Sequence, residues 1–225
     1  MVTPRLVLIT DRRLMGGEAG FGDAIAAAVR ELPPGAAIVQ VREKDLGGAA
    51  LLRLVRAAQA AAPEQRVVVN DRLDVALAAA ASGVHLPEDG LDVAAVHAAI
   101  AAADGPAPCA DAPPVLVGCS RHDADAASAA AAGGADLVQL GPVWSTPAKE
   151  RYGAALGPGV LRETRARMDA RCLLVAVGGI DSPARAGAAR AAGAVRLSVG
   201  VMTLEEDIDR AAAGLIAAWR RLVDD

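Results

Sequence analysis

The 225-residue sequence contains few cysteines and few aromatic residues, and each shortage restricts the class of protein. The three cysteines, Cys109, Cys119 and Cys172, lie far apart without a CxxC pair. This excludes a disulfide framework and a zinc motif and predicts reduced, buried thiols. With only one Phe, one Tyr and two Trp, the core must consist of Ala, Val, Leu and Ile.

A surplus of positive charge and a long hydrophobic run are also missing. The net charge is −4, so the protein lacks the basic surface with which nucleic-acid-binding proteins neutralise phosphates. No segment approaches the ~18 uninterrupted apolar residues of a membrane span, and the N-terminus lacks the features of a signal peptide. We therefore expect a cytoplasmic protein that binds small molecules, not nucleic acids or membranes. The sequence leaves open whether the protein forms a homo-oligomer.

Short apolar segments alternate with alanine-rich helical segments along the whole chain. Segments such as 36–41 and 67–69 are typical of parallel strands that are buried on both faces. The predicted strands are residues 5–10, 36–41, 67–69, 83–86, 115–119, 136–140, 173–177 and 195–199. The predicted helices lie at 24–32, 49–61, 74–81, 93–103 and 123–132, up to about 169, after Ser182-Pro183, and at 204–222.

Eight strands that alternate with eight helices favour a single (β/α)₈ TIM-barrel domain over residues 1–225, with an open doubly wound sheet as the main alternative. Asp23 is a candidate cap of the first helix, and Asp71 or Asp74 of the third. Segment 104–114 is interpreted as a loop extension. In a barrel, the carboxyl ends of all strands surround one mouth, and the chemistry takes place there.

Polar side chains follow many of the predicted strands. They are Gln40, Arg42 and Lys44; Asn70 and Asp71; Asp89; Ser120; Thr146 and Lys149; and the pair Gly178-Gly179. Gln40, Arg42 and Lys44 share one face of an extended segment, and an amide with two cations suits an anion such as a phosphate. The alternative is a solvated turn in which Glu43 and Asp45 pair with these cations.

A second anion site is predicted at the loops after the last three strands. Gly178-Gly179, with the segment near Gly200, occupies the usual phosphate position of such barrels, although a Gly-Gly pair can also be a simple tight turn. The loop of residues 141–157, which carries Thr146 and Lys149, suits a ligand cover, with a surface loop of no function as the alternative. Asp71 beside the cations fits Mg²⁺ that bridges the protein to a diphosphate.

Several motifs, taken in order and spacing, resemble the thiamine phosphate synthase and thiazole tautomerase family over nearly the whole chain. These are Leu8-Ile9-Thr10-Asp11, Gln40-Val41-Arg42-Glu43-Lys44, Asn70-Asp71-Arg72, Gly83-Val84-His85-Leu86, Gly118-Cys119-Ser120, the stretch Gly141-Pro142-Val143-Trp144-Ser145-Thr146-Pro147-Ala148-Lys149, and Val177-Gly178-Gly179-Ile180. The resemblance implies a synthase that joins hydroxymethylpyrimidine diphosphate to hydroxyethylthiazole phosphate, with release of diphosphate.

The resemblance also implies roles for single residues. Gln40, Arg42, Lys44, Asn70 and Lys149 would bind the diphosphate, Asp71 would ligate Mg²⁺, and Ser120 would lie near the pyrimidine. Arg42, Lys44, Ser120 and Lys149 are the implied catalytic residues. Thr146, Gly178, Gly179, Gly200 and Val201 would serve the thiazole phosphate.

Some positions differ from the synthase pattern. The second magnesium carboxylate of the synthases falls on Gly90 here, with Asp89 adjacent as a substitute ligand, and Ala148 replaces a threonine. Segment 196–201 lacks the usual small residues, and the turn His85-Leu86-Pro87 resembles the tautomerases. Asp71, in contrast, is a synthase feature, and Pro142 stands where the tautomerase has a histidine. A thiazole tautomerase-like isomerase and a non-catalytic binder of thiamine phosphates are therefore the alternatives.

Overall fold

Eight parallel strands form a closed barrel in chain order in the computed structural model, which describes residues 4–103, 115–145, 154–180, 182–192 and 196–200. The strands are β1 Leu6–Ile9, β2 Ala37–Val41, β3 Arg66–Asn70, β4 Gly83–Leu86, β5 Leu116–Arg121, β6 Leu137–Leu140, β7 Leu173–Ala176 and β8 Arg196–Gly200. β1 pairs in parallel with both β2 and β8. This closure confirms the barrel and excludes the open sheet, which would leave two strands with a free edge.

Helices follow the strands and cover the outside of the barrel. Those in the described part of the chain are α1 Gly17–Val29, α2 Gly48–Ala61, α3 Leu73–Ala78, α4 Val93–Ala102, α5 Ala124–Ala132, α6 Gly159–Arg167 and α7 Pro183–Ala191. In α2 the buried residues are Leu51, Leu54, Val55 and Ala58, the spacing of an apolar stripe on one helix face. The predicted helix 204–222 and the loop extension 104–114 lie outside the described residues. None of the described helices is long and apolar enough to cross a membrane.

The strands separate two apolar layers, because successive side chains of a strand point to opposite faces. Val7, Ile38, Val68, Leu137 and Val175 pack together as one buried cluster. Their neighbours along the strands belong to a second, larger cluster that includes residues of the helices. Alanine, valine, leucine and isoleucine make up most of both clusters, as the composition predicts.

The first helix begins seven residues earlier than predicted. It starts at Gly17 instead of 24 and ends at Val29, so Asp23 lies within the helix and the prediction that it caps the helix is wrong. Glycines in this segment suggest a loop, but Phe21 is fully buried in the core. Burial of this aromatic side chain outweighs the low helix propensity of the glycines around it.

The helix caps near the mouth were predicted with mixed success. Arg72 occupies the N-cap position of α3 without a side-chain cap, so neither Asp71 nor Asp74 caps this helix. Asp74 instead forms an ion pair with Arg72 at 2.5 Å. At α7 the prediction is confirmed: the helix begins at Pro183, and Ser182 Oγ accepts a hydrogen bond from the Arg185 amide at 3.4 Å.

Candidate active site

Polar side chains replace apolar ones inside the barrel near the carboxyl ends of the strands. Two positions after the inward residues Ile38, Val68 and Leu137 come Gln40, Asn70 and Gln139, all three buried. The two-residue period of a strand returns each of these amides to the barrel interior. A polar layer therefore lies above the apolar interior, on the side where the strands end.

Three amides of this layer form a hydrogen-bonded chain. Gln139 Nε2 donates to Gln40 Oε1 at 2.6 Å, and Gln40 Nε2 donates to Asn70 Oδ1 at 3.1 Å. Both ends of the Gln40 amide are therefore satisfied within the protein. Asn70, whose oxygen accepts from Gln40, keeps its amide nitrogen as a donor. This arrangement suits Asn70 as the member of the chain that binds an anion.

Buried His85 and half-buried Ser120 form a second pair across neighbouring strands. His85 Nε2 lies 2.9 Å from Ser120 Oγ, and the imidazole fits because Gly118 has no side chain. A Cβ atom at Gly118 would lie 2.8 Å from His85 Nδ1. Burial, with smaller effects of Arg121 and Arg42, lowers the pKa of His85 to about 3. His85 is therefore neutral near pH 7 and holds the Ser120 hydroxyl without contributing charge.

The cations after β2 have no carboxylate partner within the described part of the chain. Arg42 and Lys44 are exposed, whereas Glu43 between them is buried. Glu43 and Asp45 both pair with Arg12, at 3.0 and 2.7 Å. The alternative of a turn in which these carboxylates neutralise Arg42 and Lys44 is therefore wrong. Two neighbouring cations remain available at the mouth of the barrel, as an anion site requires.

Asp71 has an unusual backbone conformation directly after β3. Its φ of 67° lies in the left-handed region, which few residues other than glycine adopt and which is often found at functional sites. The Asp71 amide donates to the His85 carbonyl at 2.8 Å, which fixes this conformation. The Asp71 carboxylate is exposed and accepts no hydrogen bond from another described residue.

Asp89 lies in the tight turn after β4, where it is exposed. The Gly90 amide closes this turn on the Pro87 carbonyl at 3.1 Å, and a Cβ atom at Gly90 would lie 2.8 Å from Pro87 Cδ. A side chain at residue 90 would therefore require this turn to shift. Among the described residues, no three His, Cys, Asp or Glu side chains cluster as a metal site, although Mg²⁺ commonly takes only one or two carboxylates.

The loops after β6 and β7 pack tightly against each other through glycines. Gly178 and Gly179 have φ values of 97° and 66°, and Cβ atoms there would lie 2.8 Å from Pro142 Cβ and 2.6 Å from Trp144 Cβ. The Trp144 amide donates to the Gly178 carbonyl at 3.2 Å. The Gly-Gly pair is thus a turn that only glycine permits, and it brings backbone from two loops together at the mouth.

The remaining predicted site residues are only partly within the described chain. Gly200 ends β8 and lies beside Ile9 of β1. Thr146, Lys149 and Val201 lie outside the described residues, so their roles stay predictions.

The sequence analysis assigned no site role to three residues that hold site residues in place: Gln139, His85 and Arg12. Gln139 could have been found from the sequence, because it is an amide at an inward position of an otherwise apolar strand. His85 occupies a similar position in β4. Arg12 has no such signal, because Glu43 lies 31 residues away along the chain.

Comparison with known proteins agrees with this arrangement. Residues 6–201 match the family model described as thiamine monophosphate synthase. The chain is 36% identical over 196 residues to the thiamine-phosphate synthase of Methanospirillum hungatei JF-1, covering 86% of each protein. It is 34% identical over 201 residues to that of Anaeromyxobacter dehalogenans, covering 89% of this chain and 85% of the relative.

A solved structure gives the same result at the level of the fold. The thiamine phosphate pyrophosphorylase from Pyrococcus furiosus superposes with a TM-score of 0.77 at 25% identity, over 97% of this chain and 96% of that one. The family match, the relatives and the closed barrel with its paired amides and cations at the mouth lead to one conclusion. The chain belongs to the thiamine monophosphate synthase family.

Proposed function

We propose that this protein is a thiamine-phosphate synthase, a transferase that joins hydroxymethylpyrimidine diphosphate to hydroxyethylthiazole phosphate and releases diphosphate. The observation that carries the proposal is the pair Arg42 and Lys44, exposed at the mouth while the carboxylates beside them bind Arg12. A guanidinium and an ammonium that lack a carboxylate partner among the described residues are suited to a diphosphate.

The reaction requires charge stabilisation more than a strong base. The bond between the pyrimidine methylene carbon and the diphosphate oxygen breaks, and the oxygen keeps the electron pair. The thiazole nitrogen then donates its lone pair to the resulting pyrimidine-methyl cation, which forms the new carbon–nitrogen bond. Arg42, Lys44 and the Asn70 amide are the described groups that would stabilise charge on the departing diphosphate.

We infer that Mg²⁺ assists at this site, held by Asp71 and Asp89. The Asp71 carboxylate fits this role because it is exposed and has no hydrogen-bond donor among the described residues. When bound, the metal would neutralise negative charge on the diphosphate. Asp89, exposed in the turn after β4, would supply the second carboxylate that Gly90 lacks.

The second substrate would bind on the opposite side of the mouth. Backbone groups of Gly178 and Gly179 would bind the thiazole phosphate, together with Thr146 and the segment Gly200-Val201. Ser120, held by His85, would contact the pyrimidine, and Lys149 would add a further cation at the diphosphate.

We also expect the enzyme to work in the cytoplasm. Cys119 and Cys172 are buried free thiols, and burial raises the pKa of Cys172 to about 12, so neither thiol is reactive. A homo-oligomer remains a prediction that sedimentation can test.

Incubation of the purified protein with both substrates and Mg²⁺ tests the proposal. We expect thiamine phosphate and diphosphate in equal amounts, and no product after the metal is removed with a chelator. Isomerisation of a thiazole carboxylate phosphate that persists with chelator would instead identify the tautomerase alternative. Binding of thiamine phosphate without turnover of either substrate set would identify a non-catalytic binder.

A further inference from the structure

Arg12, which follows the first strand, binds the two carboxylates that flank Lys44. Its Nη1 donates to Glu43 Oε2 at 3.0 Å and to Asp45 Oδ1 at 2.7 Å, and its Nη2 donates to Asp45 Oδ2 at 2.7 Å. The pair with Asp45 is bidentate, the strong geometry for a guanidinium. These bonds to Arg12 lower the pKa of Asp45 to about 2.

The backbone on both sides of this contact is fixed as well. Thr10 Oγ1 donates to Glu43 Oε1 at 2.8 Å and accepts from the Arg42 amide at 3.1 Å. The Arg12 amide also donates to Glu43 Oε1, at 2.9 Å. Segment 42–45 is therefore attached to the end of β1 at Arg42, Glu43 and Asp45. Lys44 lies between two of the attached residues.

The charges explain why this attachment matters to an anion site. Segment 42–45 carries two cations and two carboxylates, so by itself it is neutral and its members can pair with one another. Arg12 draws both carboxylates towards β1, and the side chain of Glu43 is only 2% exposed. What remains at the mouth is the double positive charge of Arg42 and Lys44.

We propose that Arg12 is a positioning residue that keeps Arg42 and Lys44 available to the diphosphate by binding Glu43 and Asp45. Arg12 need not touch the substrate, because its guanidinium already binds two carboxylates. The inference rests on the proposed function, since it assumes that the anion at this site is a diphosphate. Without the Arg12 guanidinium, Asp45 is released, and Glu43 keeps its bonds to Thr10 Oγ1 and the amide of residue 12 but loses the charge that balances it. The negative charge of both carboxylates then competes with the substrate for Arg42 and Lys44.

Calorimetric titration with inorganic pyrophosphate and Mg²⁺ tests the inference. For Arg12→Ala we expect the pyrophosphate affinity to fall about tenfold or more, with KM for the pyrimidine diphosphate raised and KM for the thiazole phosphate unchanged. The decisive variant is Arg12→Ala with Glu43→Gln and Asp45→Asn added. Because these amides cannot neutralise the cations, we expect this variant to regain most of the affinity.

A matched control is available in the neighbouring residue. Among the described residues, the ion pair of Arg13 is with Asp11, and its side chain is 71% exposed, so Arg13→Ala should bind pyrophosphate like the wild type. If Arg12→Ala does not fold, Arg12→Lys serves instead, because it keeps a charge at Glu43 but cannot bind Asp45 in the bidentate manner. Its smaller loss, about threefold to tenfold, should disappear when Asp45→Asn is added.

Two results separate failure of the inference from failure of the proposed function. If the wild type binds pyrophosphate but folded Arg12→Ala binds it equally well, or if removal of the carboxylate charges restores nothing, Arg12 is only structural. If the wild type neither binds pyrophosphate nor forms thiamine phosphate, the proposed function is wrong. The inference about Arg12 is then wrong as well, because it assumes a diphosphate at this site.

Discussion

The two sides of the barrel mouth are built from different chemical groups, side chains on one side and backbone on the other. At the ends of β2 and β3, side chains carry the chemistry: Arg42 and Lys44 are exposed cations, Asp71 is an exposed carboxylate, and Asn70 ends a chain of buried amides. After β6 and β7, the described site consists of backbone. There, Gly178 and Gly179 adopt positive φ values and pack against Pro142 and Trp144.

This difference matches the two kinds of anion that we propose for the site. A leaving diphosphate develops charge during the reaction and needs cations that can respond to it. A phosphate that only anchors the second substrate needs fixed N–H groups, which glycine turns and helix N-termini supply. Substitutions of the charged and amide side chains at the ends of β2 and β3 should therefore affect both binding and rate. Substitutions in the glycine turn after β7 should affect binding of one substrate.

The largest effect is expected on the side built from charged side chains. Arg42→Ala should lower kcat/KM for the pyrimidine diphosphate by about 10²–10³, because the guanidinium stabilises charge in the transition state. Steady-state kinetics measures this loss. Arg53→Ala on α2 is the control, since Arg53 is exposed and its hydrogen bond within the described chain is to its own helix. A loss below threefold for Arg42→Ala would place the diphosphate elsewhere.

A slightly smaller effect is expected at Asp71, also on that side. Asp71→Asn keeps a residue that tolerates the left-handed φ of 67°, so the change removes charge and little else. The pyrophosphate affinity in Mg²⁺ should fall about 10- to 100-fold, with little change in metal-free buffer. Asp74→Asn, which removes the carboxylate charge from an exposed pair with Arg72, should change neither value. Equal affinities for Asp71→Asn and the wild type would leave Asp71 without a metal role.

The backbone side can be tested at Gly179. In Gly179→Ala the new Cβ would lie 2.6 Å from Trp144 Cβ at a φ of 66°, which should destabilise the protein by about 1–3 kcal/mol. The affinity for the thiazole phosphate should fall, and that for pyrophosphate should not. Gly187→Ala in α7 meets no atom within 4 Å and should not destabilise. Chemical denaturation and calorimetry measure these changes, and a thiazole phosphate affinity that stays unchanged would argue against this site.

The smallest effect concerns His85, which is buried in the barrel beside Ser120. Its folded-state pKa of about 3 lies below the ordinary value of 6.5, so between these values the unfolded chain binds the additional proton. Stability should therefore fall as the pH falls from 6.5 towards 3, by up to about 1.4 kcal/mol per pH unit from this group. Denaturation at pH 7 and pH 5 should show a smaller decrease for His85→Gln than for the wild type, and equal decreases would contradict the assignment.

The sequence predicts the barrel and the location of the mouth residues better than their partners. Buried β-branched runs such as residues 67–69 mark the strands, and the polar residues after them must meet at one end of a barrel. The start of α1 was missed because burial of Phe21 depends on tertiary packing. The pairing of Arg12 with Glu43 and Asp45 was missed because it depends on which strands are neighbours in space.

Binding of each anion to each side tests the central claim most directly. Inorganic pyrophosphate with Mg²⁺ and hydroxyethylthiazole phosphate are titrated separately into the wild type, Arg42→Ala and Gly179→Ala. We predict a crossed result, in which Arg42→Ala loses affinity only for pyrophosphate and Gly179→Ala only for the thiazole phosphate. Equal losses of both ligands in both folded variants would contradict the division of the mouth into two anion sites.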